Sequence, residues 1–173
     1  MPSAPPVPVV QRVTTVADYG VLGSRARVTL GRRGVTGLPT LRVAVLRGAS
    51  TFAFQAAGTV QAVRFGSKYR IGAWLRTDAP GMTVCLRIEE VSKHDDVAPV
   101  RTTEACFSPT TKWQHFRIVR KTIKSGDQLR FSIYSYGAEK GDSFDIDGFT
   151  VLRMTQDGWK RVKDAFARRA SLR

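Results

Sequence analysis

Hydrophobic and polar residues alternate along much of the chain, most regularly in residues 69–76. With a period of two, one face of this stretch is apolar and the other carries a tryptophan between two arginines: Tyr69, Ile71, Ala73 and Leu75 against Arg70, Gly72, Trp74 and Arg76. An exposed indole between two guanidinium groups needs a covering layer or a ligand. The pattern therefore predicts a β-strand whose outer face binds a flat molecule.

Similar short stretches recur between glycine-, proline- and serine-rich breaks, with no helical pattern between them. They are residues 12–16, 26–30, 41–45, 50–57, 58–65, 82–91, 100–108, 113–119, 129–136 and 143–152. Strands of this length and spacing are typical of two packed antiparallel sheets. The sequence predicts an all-β fold, an antiparallel β-sandwich of the jelly-roll kind, over residues 11–154.

The two ends of the chain differ from this pattern. Residues 1–10 contain four prolines and predict an extended tail or linker. Residues 155–173 predict a short basic amphipathic helix, with Trp159, Val162 and Phe166 on one stripe. Packing on its own domain is the favoured role of this helix, and a membrane or nucleic-acid contact is the alternative.

Two cysteines fall in a predicted hairpin formed by residues 82–91 and 100–108. If the hairpin is symmetric about its polar loop, Cys85 and Cys106 face each other on the outer side. A cross-strand disulfide fits that placement and an oxidising compartment, whereas two reduced, buried thiols are the alternative.

Charge and length limit the partners of the chain. Its 173 residues suit one domain, and 28 Lys plus Arg against 14 Asp plus Glu give a net charge of +14. Such an excess favours a polyanionic partner: an acidic glycan, a nucleic acid or a membrane surface. The sequence has no apolar run long enough to predict a transmembrane segment and no secretory signal pattern. A proline-rich start favours a piece of a larger extracellular or cell-envelope chain, and a virion or cytoplasmic protein is the alternative.

Residues that commonly catalyse reactions show no recognisable arrangement. Neither His94 nor His115 has a Ser or Cys partner in a known motif. The carboxylate pairs Glu89/Glu90, Asp95/Asp96 and Asp145/Asp147 have no predicted placement across a cleft, which glycoside hydrolysis requires. The chain is therefore predicted not to be an enzyme.

In order along the chain, five sequence motifs, with the predicted β-hairpin between the second and the third, resemble those of jelly-roll carbohydrate-binding modules, which are galactose-binding-like domains, especially families 4, 9 and 22. The matching residues are Leu41-Arg42-Val43, Gly66 with Tyr69 and Trp74-Leu75-Arg76, Trp113-Gln114 with Phe116 and Ile118, Leu129 with Phe131 and Ile133, and Phe144 with Ile146, Asp147, Phe149 and Val151. The resemblance covers residues 37–153. It implies a jelly-roll fold and binding of a polysaccharide.

The same resemblance implies a structural calcium ion. In such modules calcium is held between the closing aspartate, here Asp147, and oxygens near the N-terminal strand, here Asp18. Two departures weaken the match, because Gly148 replaces a second aspartate and the opening motif has only a poor counterpart in residues 18–20. The alternative is that Asp145 and Asp147 form an outward-facing pair on an edge strand. No other cofactor is expected.

A ligand-binding face follows from the resemblance, which implies that the strands at Tyr69, Met82, Val100 and Leu129 share a sheet. The open side of that sheet would carry Arg70, Trp74, Arg76, Arg87, Glu89, Glu104, Arg130, Tyr134 and Tyr136. Aromatic planes stack on the C–H face of a sugar, and polar side chains bond its hydroxyls. The arginines favour a glycan with carboxylate or phosphate groups. The alternative is that Trp74 packs under a loop and the arginines are solvated.

Three functions are consistent with these features. The first is a non-catalytic polysaccharide-binding module, for instance for an acidic or phosphorylated cell-envelope glycan. The second is a structural or assembly module of a cell surface or virion, in contact with other domains or partners. The third, nucleic-acid binding, depends on charge alone and lacks any recognisable motif.

Overall fold

The fold is built from strands that the computed structural model describes in residues 19–22, 26–46, 51–56, 60, 63–92, 94 and 99–154. The strands are β1 (Tyr19–Leu22), β2 (Ala26–Arg33), β3 (Pro39–Val45), β4 (Thr51–Ala56), β5 (Lys68–Thr77), β6 (Thr83–Val91), β7 (Pro99–Phe107), β8 (Gln114–Lys121), β9 (Gln128–Tyr136) and β10 (Ser143–Met154). The predicted N-terminal tail and C-terminal helix lie outside the described residues.

Two five-stranded antiparallel sheets pack face to face. Sheet I has the strand order β1-β4-β9-β6-β7, and sheet II has the order β2-β3-β10-β5-β8. The predicted all-β antiparallel sandwich is confirmed. Among the described helices and strands there is no helix long and apolar enough to cross a membrane.

The hydrophobic core lies between the sheets and uses one side of each alternating strand. Ile71, Ala73 and Leu75 of β5 are fully buried, as their period-two spacing predicts. The core residues of sheet I follow the same rule: Val84, Leu86 and Ile88 on β6, and Leu129, Phe131 and Ile133 on β9. The outer faces therefore carry the intervening residues, which are mainly polar.

One ion pair also lies between the sheets. Glu90 of β6 and Arg120 of β8 are 0% and 3% exposed, and Arg120 Nη2 lies 2.7 Å from Glu90 Oε2. The other Glu90 oxygen accepts the backbone N–H groups of Ile123 and Lys124, at 2.8 and 3.1 Å. Arg120 also donates to Thr103 Oγ1 at 2.9 Å, so the pair joins both sheets and the β8–β9 loop.

The prediction that the strands at Tyr69, Met82, Val100 and Leu129 share a sheet is wrong. β5 belongs to sheet II, where it pairs with β8 and β10, whereas β6, β7 and β9 belong to sheet I. Alternation assigns residues to the inside or outside of a strand but does not select its neighbours. The predicted binding face is therefore divided between opposite sides of the sandwich.

Two smaller predictions also need correction. Residues 58–65 were expected to form a strand, but Val60 makes a single bridge to Leu129 and residues 63–65 are not in a strand. β10 is the central strand of sheet II, so Asp145 and Asp147 do not lie on an edge. Both carboxylates are buried because neighbouring side chains cover them.

Candidate functional site

The outer face of sheet I carries a group of charged and phenolic side chains that we call the polar platform: Arg87, Glu89, Glu104, Arg130 and Tyr134. The antiparallel register brings them together, because Arg87 faces Glu104 on β7 and Glu89 lies between Thr102 and Arg130. Tyr136 continues the same strand opposite Thr83, but its side chain is outside the described part of the chain.

Three members of the platform hold one another in fixed positions. Arg87 Nε donates to Glu104 Oε2 at 2.7 Å, and Arg87 Nη2 donates to the Tyr134 hydroxyl at 2.6 Å. The Tyr134 hydroxyl in turn donates to Glu104 Oε2. Arg87 also lies 3.6 Å from Glu89. Arg87, Glu104 and Tyr134 come from three different strands, so the sheet itself fixes their geometry.

Tyr134 differs from the expectation that its ring is open to solvent. Tyr134 as a whole is 3% exposed, and the Arg87 guanidinium lies 4.4 Å from the centroid of its ring. A ligand cannot stack on a ring that is already covered in this way. Tyr134 instead positions the hydrogen-bonding groups of Arg87 and Glu104.

The platform also changes the titration of its own members. Partial burial raises the pKa of Glu104, but hydrogen bonds from Tyr134 and Arg87 outweigh it and leave the pKa below its ordinary value. Partial burial lowers the pKa of Arg87, yet its interactions with Glu104 and Tyr134 leave it raised. Both groups therefore stay charged at neutral pH.

We expect Glu104→Gln to destabilise the protein near neutral pH and to have less effect in acid. Because the folded-state pKa of Glu104 is lowered, its contribution is present above the unfolded pKa, about 4.3, and is lost as pH falls through the folded value. Urea unfolding of both proteins between about pH 7 and pH 3 measures this difference. A difference in unfolding free energy that stays constant across this range would contradict the expectation.

On the opposite side, the outer face of sheet II carries Trp74 beside a cavity of about 360 Å³. The residues around it come from β3, β5, β8, β10 and the β2–β3 turn, and include Thr36, Leu38, His115, Asp147 and Thr150. The indole is half-buried, and its ring centroid lies 5.2 Å from that of His115. Trp74 thus borders a defined recess.

The other predicted residues on this face have different environments. Arg76 Nε donates to Asp145 at 2.8 Å, and its guanidinium lies 4.7 Å from the Trp113 ring centroid. Arg70 lies near Arg117, and burial together with that charge lowers the pKa of Arg70. The Arg76 side chain is therefore held by Asp145 and Trp113, whereas Arg70 lies beside another positive charge.

His115 and Arg117 were not predicted as site residues. Burial, then Arg117 and Arg70, lower the pKa of His115, which favours the neutral imidazole. Their relevance depends on β5–β8 register, which puts His115 opposite Trp74 and Arg117 opposite Gly72. The sequence gives the alternation of β8 but not that pairing.

The Asp147 carboxylate is held by the β2–β3 turn. Its two oxygens accept hydrogen bonds from Thr36, at 2.8 Å from the backbone N–H and 2.6 Å from the hydroxyl. These bonds fasten the β2–β3 turn, and one carboxylate is far from the six to eight oxygens that calcium needs. Asp18 lies outside the described residues, so a calcium site that includes it stays a prediction.

Cys85 and Cys106 form a disulfide across β6 and β7, with an S–S distance of 2.00 Å. Their sulfur atoms lie near the carboxylate of Glu104. Bonded sulfurs are not thiolates, so this trio does not bind a metal as it stands. The disulfide instead fastens the strand that carries Glu104.

The fold is that of the jelly-roll β-sandwiches found in carbohydrate-binding modules. No known family matches the sequence, and no curated protein does. Among solved structures, the CBM22-1 xylan-binding domain of Xyn10C from Paenibacillus barcinonensis is 13% identical with a TM-score of 0.57, covering 80% of this chain and 87% of that one. TmCBM61, solved with β-1,4-galactotriose, is 17% identical with a TM-score of 0.55, covering 82% and 92%.

An enzyme-containing structure shares the fold as well. The enzymatically active domain of tailspike protein 4 from bacteriophage CBA120 is 11% identical, with a TM-score of 0.65 over 82% of this chain. This chain spans only 20% of the length of that domain. At such identities these likenesses establish the shared fold.

Proposed function

We propose that this protein is a non-catalytic polysaccharide-binding module that binds a glycan chain across the outer face of sheet I. The polar platform is the observation that carries the proposal. Its carboxylate, guanidinium and phenol groups are held by one another before any ligand arrives. Groups that are already ordered lose little conformational entropy on binding.

The chemistry of the platform suits a ligand rich in hydroxyl groups. Glu89 and Glu104 accept hydrogen bonds, and Arg87 and Arg130 donate them, so the platform offers sugar hydroxyls both kinds of partner. The face extends across three strands, which suits an extended chain. Proteins of the same fold have been solved with β-1,4-galactotriose and as a xylan-binding domain, which supports a glycan as the ligand.

The environments of the carboxylates support binding without catalysis. Glu90 is paired with Arg120 in the interior, Asp145 with Arg42 and Arg76, and Asp147 with Thr36. Two of the three predicted carboxylate pairs therefore have a member engaged in the fold. The third, Asp95/Asp96, lies outside the described residues.

An acidic or phosphorylated glycan is the finer part of the proposal, and the net charge of +14 supports it. The platform contains two arginines and two glutamates, so the preference for an acidic chain comes from charges elsewhere on the surface. Raising the salt concentration should weaken binding of an acidic polysaccharide and leave a neutral one nearly unchanged. Equal salt dependence would contradict the acidic target.

A glycan array and titration calorimetry test the site. We expect Arg87→Gln to weaken binding of the selected oligosaccharide about tenfold or more, because a charged hydrogen-bond donor is lost from the platform. Arg27→Gln is the matched control, since Arg27 is exposed on β2 of the other sheet and the charge change is the same. Equal affinity of wild type and Arg87→Gln would reject the platform as the site.

A further inference from the structure

We propose a second ligand site on the outer face of sheet II, where the cavity beside Trp74, with Arg70 and Arg117, binds a single sugar ring that carries an anionic group. The choice of a sugar rests on the proposed function. The position of the site does not, because it lies on the opposite side of the sandwich from the polar platform. The two sites can therefore be tested separately.

Two glycines let neighbouring side chains lie close beside the indole. Gly72 lies between Arg70 and Trp74 on the outer face of β5, and a Cβ there would be only 3.2 Å from His115 Nε2. Gly148 has a φ of +58° in the β10 bulge, and a Cβ there would lie 2.7 Å from Thr36 Cγ2 and 3.6 Å from Trp74 Cδ1. Glycine at these positions therefore lets His115 and Thr36 lie against the backbone and form walls of the cavity.

The cavity has the size and composition of a small ligand site. A volume of about 360 Å³ lies near the lower end of the range for ligand cavities. Leu38, Pro39 and Phe149 supply apolar surface, while Thr36 and Thr150 supply hydroxyls. A half-buried indole on one side offers a plane for the C–H face of a ring.

Positive charge lies beside Gly72 and His115. In register, Gly72 lies opposite Arg117 on β8 and Thr150 on β10, while Arg70 precedes it on the same face of β5. In the described part of the chain, Arg70 has no carboxylate partner. Asp147, which is opposite Trp74 in register, directs both oxygens to Thr36. An anionic group that reaches the two arginines from the cavity would offset the repulsion between their charges.

These groups together define the ligand. A guanidinium binds carboxylate or phosphate oxygens by paired hydrogen bonds, and a neutral imidazole donates one hydrogen bond and accepts another. Trp74 adds the apolar plane. A uronic acid and a sugar phosphate share the required chemistry, an anionic group attached to a hydroxylated ring.

The test is an NMR titration of the full chain, followed through the amide and indole signals. The probes are methyl β-glucuronide, glucose 6-phosphate, neutral methyl β-glucoside and inorganic phosphate. We expect at least one anionic sugar to shift the Trp74 and His115 signals at lower concentration than the glucoside and phosphate do. Phosphate binding as tightly as the anionic sugars would show a bare anion site and overturn the assignment. Shifts confined to sheet I would overturn it as well.

Variants separate this site from the platform. Arg70→Gln should weaken binding of the anionic sugar about tenfold, and Gly72→Ala should weaken it by displacing His115 from the cavity wall. Arg101→Gln, which removes an exposed arginine from β7, should have no effect. The spectra also show whether each variant is folded. An equal loss of affinity in Arg70→Gln and Arg101→Gln would show that binding depends only on the overall charge of the protein, and it would reject the site.

The platform variant makes the two failures distinguishable. Arg87→Gln should leave binding of the anionic sugar at Trp74 unchanged, even where it abolishes binding of the longer oligosaccharide. If Arg87→Gln abolished binding of both the anionic sugar and the longer oligosaccharide, a separate site on sheet II would be rejected.

Discussion

Replacing Arg120 with methionine is expected to lower the free energy of unfolding by about 3–5 kcal/mol, because it leaves Glu90 as an unpaired charge in the interior. Glu90 is fully buried, and its contact with Arg120 Nη2 is 2.7 Å. Methionine fills similar space but supplies no charge. Urea unfolding at neutral pH measures the loss, and a change below about 1 kcal/mol would contradict the expectation.

A second substitution should recover part of this loss. In the double variant Arg120→Met with Glu90→Gln, the buried charge is gone and the side-chain oxygen can still accept the N–H groups of Ile123 and Lys124. We therefore expect the double variant to be more stable than Arg120→Met alone. A double-mutant cycle in which the two changes simply add would show that the ion pair is not the cause.

Reduction of the Cys85–Cys106 disulfide is expected to lower the free energy of unfolding by about 2–4 kcal/mol. The cysteines are 21 residues apart, so the bond restricts a substantial loop in the unfolded chain. Among the described strands, β7 pairs only with β6 and is largely exposed, so the disulfide adds to the few side-chain contacts that fasten it, such as Arg120–Thr103. Urea unfolding with and without a reductant measures the change.

The control for this experiment is a variant with alanine at both cysteines. It should match the reduced wild type in stability and should not respond to the reductant. Because β7 carries Glu104, we also expect reduction to weaken oligosaccharide binding at the platform. A reductant effect of equal size in the alanine variant would show that it does not act through this bond.

The sequence predicted the class of the fold because a strand with one buried face has apolar residues at every second position. In β5, Ile71 and Leu75 repeat every second residue and turn inward whatever strands lie beside them. The same alternation places both residues of the interior ion pair at inward positions. Glu90 continues the inward positions of Ile88, and Arg120 continues those of Ile118, so two charges at core positions of different strands could have been recognised as partners.

The sites depend on information that alternation does not contain. Trp74 faces outward as expected, but sheet membership is set by pairing between strands distant in sequence. That pairing put Trp74 beside His115 and removed it from Tyr134. Exposure also depends on neighbours, since Arg87 covers the Tyr134 ring that was expected to meet solvent.

The division of aromatic and charged residues between the two sheets has a consequence for assembly. Outer faces of a sandwich point away from each other, so ligands on them do not compete for space. A molecule that uses both faces is bivalent and can cross-link two glycan strands, or hold one strand with added avidity where its path reaches both sides. A glycan network that such a molecule enters would become stiffer, because the bound protein would cross-link its strands.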